Sequence, residues 1–210
     1  MYTWGFCFGL YLFTDHICYS SCIFDIRAHD AYYESAIIIR EHMFDRCKKW
    51  QPYVRMGGYP DCDMLPLGKL GKGFGQERDT NFTLDEQKTM MTLWCIFRSP
   101  LMIGAELTKL DADTMELLTK EPLYRMLREV NASEELVKDE EFIIWKAESD
   151  TKNYYAIFNI SNTAIDAPLD RTGAKLEGAL EIWSWKTVKK DESFEIPPHG
   201  VILLSMDREK

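Results

Sequence analysis

From Tyr32 to Trp50 the chain reads YYESAIIIREHMFDRCKKW, with Ile37, Ile38, Met43, Phe44 and Cys47 recurring near one face at helical spacing. The pattern predicts an amphipathic helix that ends before Pro52 and Gly57-Gly58. The following GGYPDCDMLPLG (57–68) predicts a very short strand running into a loop, and the glycine-rich, charged run 69–81 predicts an exposed loop. Thr83-Leu-Asp-Glu86 has the form of a capping box, so a helix should start there and continue through Trp94 to about Arg98, where Pro100 stops it. LMIGAEL (101–107) reads as a buried strand, and 111–128 resumes helical spacing through Met115, Leu117, Leu118, Leu123, Met126 and Leu127. Strand, helix, strand, helix is the order given by half of a parallel α/β barrel or by an open α/β sheet.

Beyond Asn131 the period changes. FIIWKA (142–147), YYAIFNI (154–160), ALEIWSW (179–185) and GVILLS (200–205) are short β-rich runs between polar turns, which predict an antiparallel β-sandwich. The expected organisation is therefore α/β plus all-β: an α/β part over 1–130 and a sandwich over 131–210, with the change of pattern falling within 128–135.

Composition narrows the function. Apolar residues make up 46% of the 210 and charged ones 28%, as in soluble globular proteins. A formal charge of −9 repels phosphate backbones and excludes a basic nucleic-acid surface, leaving a neutral or cationic partner. Cys7, Cys18, Cys22, Cys47, Cys62 and Cys95 form no Cys-x-x-Cys pair, which favours reduced, metal-free thiols. The apolar opening, Trp4 to Phe13, is shorter than the ~20 residues of a membrane span and has no preceding Lys or Arg, so it reads as a barrel strand or ragged chain end before a signal segment. Sequons at Asn81, Asn131 and Asn159 do not fix a compartment. Gly71-Lys-Gly-Phe-Gly75 lacks the Gly-Lys-Ser/Thr ending of a phosphate loop, and no cofactor is implied.

Asp61 and Asp63 stand at i and i+2, so in an extended segment both would face one pocket. Beside Pro60 they are equally compatible with an Asx-type turn. His29 and His42 form no metal constellation with them. The two carboxylates flanking Cys62 should raise its pKa, which argues against a nucleophilic thiol. Alternation in the β runs makes Trp145, Trp183 and Trp185 packing residues before sugar platforms, and His199 beside Pro197-Pro198 a turn residue.

TLDEQKTMMTLWCIFRSPLMIGAEL (83–107) resembles the penultimate helix and last barrel strand of melibiase-type α-galactosidases, the family 27 glycoside hydrolases. PDCDML is similar to that family's Asp-Pro-Asp-Met signature, MFDRCKKWQPYV to its preceding helix, and IPPHGVILLSM to its closing sandwich strand. The resemblance implies the C-terminal part of a (β/α)8 barrel followed by a β-sandwich, and retaining hydrolysis of terminal galactosides by two carboxylates about 5–5.5 Å apart. It further implies Arg27 as a sugar-binding arginine and Asp30 as acid/base, in a Trp-Arg-x-x-(x)-Asp pattern whose tryptophan is here Ile26. A helix N-cap is the other reading of Asp30. Asp63 and Met64 would contact the sugar and Asp61 would position it.

The family's nucleophile segment, Lys-x-Asp on a mid-barrel strand, and its Asp-Asp pair near the first strand have no counterpart in context; Lys138-Asp139 and Lys190-Asp191 lie in the second half. The expectation is a partial copy, inactive as an isolated chain. The alternatives are a non-catalytic carbohydrate-binding or interaction module associating through an exposed barrel edge, or a parent enzyme acting on α-N-acetylgalactosaminides or β-L-arabinopyranosides.

Overall fold

The computed structural model describes residues 43–55, 58–72, 76–190 and 193–208. Its first element, α1 (Phe44–Trp50), turns Phe44 and Cys47 inward, and a single 3-10 turn at Gln51–Tyr53 ends it at Pro52. Two-residue strands follow: β1 (Met64–Leu65), β2 (Lys69–Leu70) and β3 (Arg78–Asp79). Helix α2 (Leu84–Phe97) leads to β4 (Met102–Ile103), which pairs parallel with β1 in the register Met64↔Met102 and Leu65↔Ile103. A parallel pair cannot be closed by a tight turn, and α2 supplies the crossover.

The capping box forms as expected: Thr83 accepts from the Glu86 N–H, and the Glu86 carboxylate accepts from the Thr83 N–H at 2.7 Å. The helix ends at Arg98, whose left-handed φ of 68° turns the chain before Pro100 acts. From Glu86 to Phe97 nearly every side chain is buried, so α2 has no solvent face to speak of.

Three expectations need correction. The run 69–81 is no free loop, because buried Leu70 pairs with Arg78 and Lys69 with Asp79 in an antiparallel β2/β3 ladder. LMIGAEL yields only the half-buried Met102–Ile103 before a 3-10 turn at Leu107–Lys109. The helical run 111–128 divides into α3 (Ala112–Leu118) and α4 (Glu121–Glu129), because Pro122 lacks the N–H needed mid-helix and fits only a first turn.

Strands β5 (Ala132–Lys138), β6 (Phe142–Glu148) and β7 (Lys152–Asn159), with β8 (Ile165–Asp166), β9 (Leu180–Glu181), β10 (Glu195–Ile196) and β11 (Val201–Asp207), complete the chain. Five of them make an antiparallel sheet in the order β5-β6-β7-β11-β9, and β8 pairs with β10. The sheet is apolar on both faces. Trp145, Ala147, Tyr154, Ala156, Phe158 and Leu203 join one core with α1, α2 and α4, while Ile144, Tyr155, Ile157, Ile202 and Leu204 join another with Ile196 and Leu176. Phe97 meets Trp145 edge-on with ring centroids 6.2 Å apart, and Phe44 meets Phe158 at 4.9 Å.

Of the three tryptophans, Trp145 is core, Trp183 is partly buried, and Trp185 is exposed with φ 61°. The turn carrying the latter two is held by the buried Glu181 carboxylate, which accepts from the N–H groups of Trp183, Ser184 and Leu203. Lys120 is buried against this turn, donating to the Trp183 carbonyl at 3.0 Å with its ammonium 4.9 Å from the Trp185 ring centroid. His199 is a turn residue with φ 56°, and its carbonyl accepts from Thr89 Oγ1. Asn159 is buried and its amide donates to Thr163, Ile196 and Pro197 carbonyls, which removes it as a glycan acceptor. Among the described residues no helix is long and apolar enough to cross a membrane.

Because Thr83 and Glu86 satisfy each other's orphan donors, Thr83→Ala should cost about 1 kcal/mol, while Thr83→Ser, which keeps the capping hydroxyl, should leave stability unchanged. Urea unfolding should show this as a lower midpoint at unchanged slope.

Candidate functional site

The carboxylate pair sits where the chain leaves Tyr59-Pro60 and turns into β1. Asp61 Oδ1 accepts from the Asp63 N–H at 2.8 Å, closing an Asx turn, and Asp63 Oδ1 accepts from the Met64 N–H at 2.6 Å. Asp63 has φ 77°, a left-handed conformation that Asp and Asn tolerate better than most residues. The segment is therefore not extended, and the premise that i and i+2 point the same way fails here. Asp61 and Asp63 precede the strand, because left-handed Asp63 cannot join the ladder and pairing starts only at Met64.

Neighbouring elements fix this turn from two sides. The Trp94 indole N–H of α2 donates to the Asp63 carbonyl at 3.0 Å, and the Cys62 N–H donates to Ser99 Oγ at 2.9 Å, with Ser99 fully buried just past the helix end. Arg98 Nη2 donates to the Tyr59 hydroxyl at 3.1 Å, its guanidinium lying 4.8 Å from that ring's centroid. Toward α1, Cys62 Sγ lies 3.9 Å from Cys47 Sγ. The indole N–H of a buried tryptophan usually finds an acceptor, and that tendency is the sequence signal that points to Trp94. Ser99 carries no comparable signal.

Asp61, Asp63 and Met64 are all partly exposed, so the turn presents its acids to solvent while its backbone is held. Burial is the main cause that pushes the Asp63 carboxyl above the usual carboxylate range. The Met64 N–H works against it, and the Asp61 charge adds to it. The second Asp63 oxygen has no hydrogen-bond partner among the described residues. Arg27 and Asp30 lie outside the described residues. The Lys109-Leu110-Asp111 spacing occurs at a helix start, where Asp111 caps α3 by accepting from Thr114, and not on a strand. Among the described residues no group of three or more His, Cys, Asp or Glu side chains is placed to hold a metal ion.

A folded-state pKa above the unfolded one means that the folded protein binds the extra proton. Asp63's favourable contribution is then present at low pH and lost as pH rises from ~4, its unfolded value, through its raised folded value. Asp63→Asn keeps the acceptor and tolerates the left-handed φ, so the variant should match the parent stability at pH 3 and exceed it at pH 7. Thermal melts across that interval measure the difference, and a constant offset at all pH values would contradict it.

The family model described as alpha galactosidase A matches residues 16–126, just over half of the chain. Alpha-galactosidase 2 of Arabidopsis thaliana is 24% identical over 177 residues, 79% of this chain and 42% of that protein. Alpha-galactosidase D of Emericella nidulans is 26% identical over 161 residues, 71% of this chain and 23% of that protein. The chain thus spans less than half the length of these curated relatives. Among solved structures, a β-L-arabinopyranosidase of glycoside hydrolase family 27 from Geobacillus stearothermophilus is 36% identical with a TM-score of 0.70, covering 81% of this chain and 41% of that one. A variant of that enzyme, solved with arabinose, matches at 34% identity and a TM-score of 0.72. With its model match over 16–126 and these relatives along most of its length, the chain belongs to the melibiase-type α-galactosidase family.

Proposed function

We propose that these residues form one wall of the sugar pocket of a retaining glycoside hydrolase acting on terminal α-galactosides. Asp63 and Met64 contact the sugar and Asp61 positions the turn. The observation that carries this reading is the state of Asp63: a left-handed, partly desolvated carboxylate beside a second acid, held in place by Trp94 and Ser99. Such a group weakens the resting fold, and costs of this kind gather at binding sites. A carboxylate oxygen beside a thioether also matches a sugar, whose hydroxyls need acceptors and whose ring carbons need apolar contact.

In this reading β1 and β4 with their crossover α2 are the last part of a (β/α)8 barrel carried by 1–130, and 131–210 is an antiparallel β-sandwich backing it. Arg27 binds the sugar and Asp30 serves as acid/base. The nucleophile's Lys-x-Asp strand has no counterpart in these 210 residues, so this chain alone does not turn over substrate. The likeness to an arabinopyranosidase favours one alternative substrate, because β-L-arabinopyranose is α-D-galactose without its hydroxymethyl group. Among the described residues β1 and β4 pair only with each other, which favours association with further strands over a lone monomer.

With p-nitrophenyl α-galactoside and p-nitrophenyl β-L-arabinopyranoside, the purified chain should show no release above buffer. Turnover abolished by Asp30→Asn would overturn the inactivity. Galactose binding by calorimetry should weaken about tenfold in Asp63→Ala, on the order of one lost hydrogen bond to a charged acceptor. Unchanged affinity would remove Asp63 from the pocket.

A further inference from the structure

Cys47 faces inward from α1, and Cys62 lies between the two aspartates of the turn. Their sulfurs stand 3.9 Å apart, and both side chains are buried. A disulfide requires ~2.05 Å, so roughly 2 Å of approach separates the thiols from a bond. The two sulfurs belong to separately anchored elements. Helix α1 is tied to strand β5 by Lys48–Glu135 at 2.7 Å and by the Lys138–Asp45 pair, while Cys62 hangs from Ser99 through its own N–H. A buried cysteine ordinarily packs as a small hydrophobe, as Cys95 does in the core around α2. Cys47 and Cys62 differ by facing each other across the turn that holds Asp63.

We propose that Cys47 and Cys62 are a reversible dithiol–disulfide couple that resets the Asp61–Asp63 turn, and with it the sugar contacts assigned there, a regulation that rests on the substrate-wall reading. Oxidation proceeds by exchange with a small disulfide of the glutathione class. One protein thiol loses its proton and attacks the oxidant, forming a mixed disulfide and expelling one small thiol. The second protein sulfur then attacks the bound one, the protein S–S bond forms, and the other small thiol leaves. Two protein thiols have given up two electrons and two protons, and the oxidant's S–S bond has taken them. Burial keeps the Cys47 thiol protonated, so exchange waits on local opening and is slow. Closing the sulfurs pulls Cys62 against its bond to Ser99 and against the indole bond to the Asp63 carbonyl. The Asp63 carboxyl moves as a consequence. Sugar bound to the reduced turn disfavours oxidation by the same factor by which oxidation weakens sugar binding.

The test equilibrates the chain in oxidised and reduced glutathione, traps free thiols by acid and alkylation, and maps peptides by mass spectrometry. NMR follows the Asp63 carboxyl titration, and calorimetry measures galactose affinity, in both states. The expected result is a Cys47–Cys62 cross-link with Cys95 still alkylated, a displaced Asp63 titration, and at least tenfold weaker galactose binding on oxidation. Cys47→Ala should leave the Asp63 titration insensitive to the glutathione ratio. Both cysteines alkylated at every ratio would overturn the couple, and a cross-link with an unmoved titration would overturn the resetting of the turn. A cross-link that moves the titration in a chain whose reduced form binds no galactose upholds the couple while sinking the substrate-wall reading.

Discussion

Helix α2 is held on nearly every side, and the parts of the molecule meet through it. Its apolar residues fill the core shared with the sheet, while several of its polar groups bond to partners outside the helix. Gln87 accepts from the Gly68 N–H and donates to the Phe82 carbonyl, Thr89 donates to His199, Thr92 accepts from the Trp183 indole, and Trp94 donates to Asp63. Each of these bonds has a buried end, where an unpaired polar group would cost on the order of 1–3 kcal/mol. The helix therefore sets the register of the β2/β3 segment, the sheet's closing turns and the carboxylate turn together. A shift of one residue along its axis would unpair all of them.

The five-stranded sheet explains why α2 has so little freedom. With both faces apolar, the sheet must be covered twice, by the helices on one side and by the β8/β10 pair on the other. Trp145 and Phe97 meet at the first of these interfaces, so the half of the chain that carries the aspartates and the half that carries the strands share one core. Lys120, wedged under Trp183 and Trp185, closes the same seam at its rim with a charge satisfied by a carbonyl and Glu116.

What could be read in the sequence was what local chemistry decides. The capping box at Thr83 and the apolar runs of β6, β7 and β11 appear in the structure because each is specified within its own segment. Strand β5 was not legible. ASEELVK has alternate polar residues and a bulge between Glu135 and Val137, and among the described residues it is an edge strand paired with β6 alone. Strands β2 and β3 escaped for a related reason, since each is a strand only through the other and the charged, glycine-rich run carries no apolar alternation. At the candidate site, the i, i+2 spacing made Asp61 and Asp63 notable and the family resemblance added Met64, but turn and pocket stayed rivals. The backbone shows an Asx turn, and a turn of this kind still leaves one Asp63 oxygen for a ligand.

That coexistence bears on why the turn takes its particular form. A loop that used Asp63 only to cap the Met64 N–H would be served as well by Asn, which adopts left-handed φ readily and carries no charge to desolvate. The chain instead keeps a carboxylate whose ionisation is opposed by burial and by Asp61, and fixes the backbone around it through the Trp94 indole on the Asp63 carbonyl and through the Cys62 N–H on Ser99. In the proposed role as a substrate wall, holding a costly group rigidly would shift part of the price of binding into folding, so that an arriving hydroxyl would meet an acceptor already oriented. Cys62 is held in the same frame, by Ser99 on its N–H and against Cys47 at its sulfur.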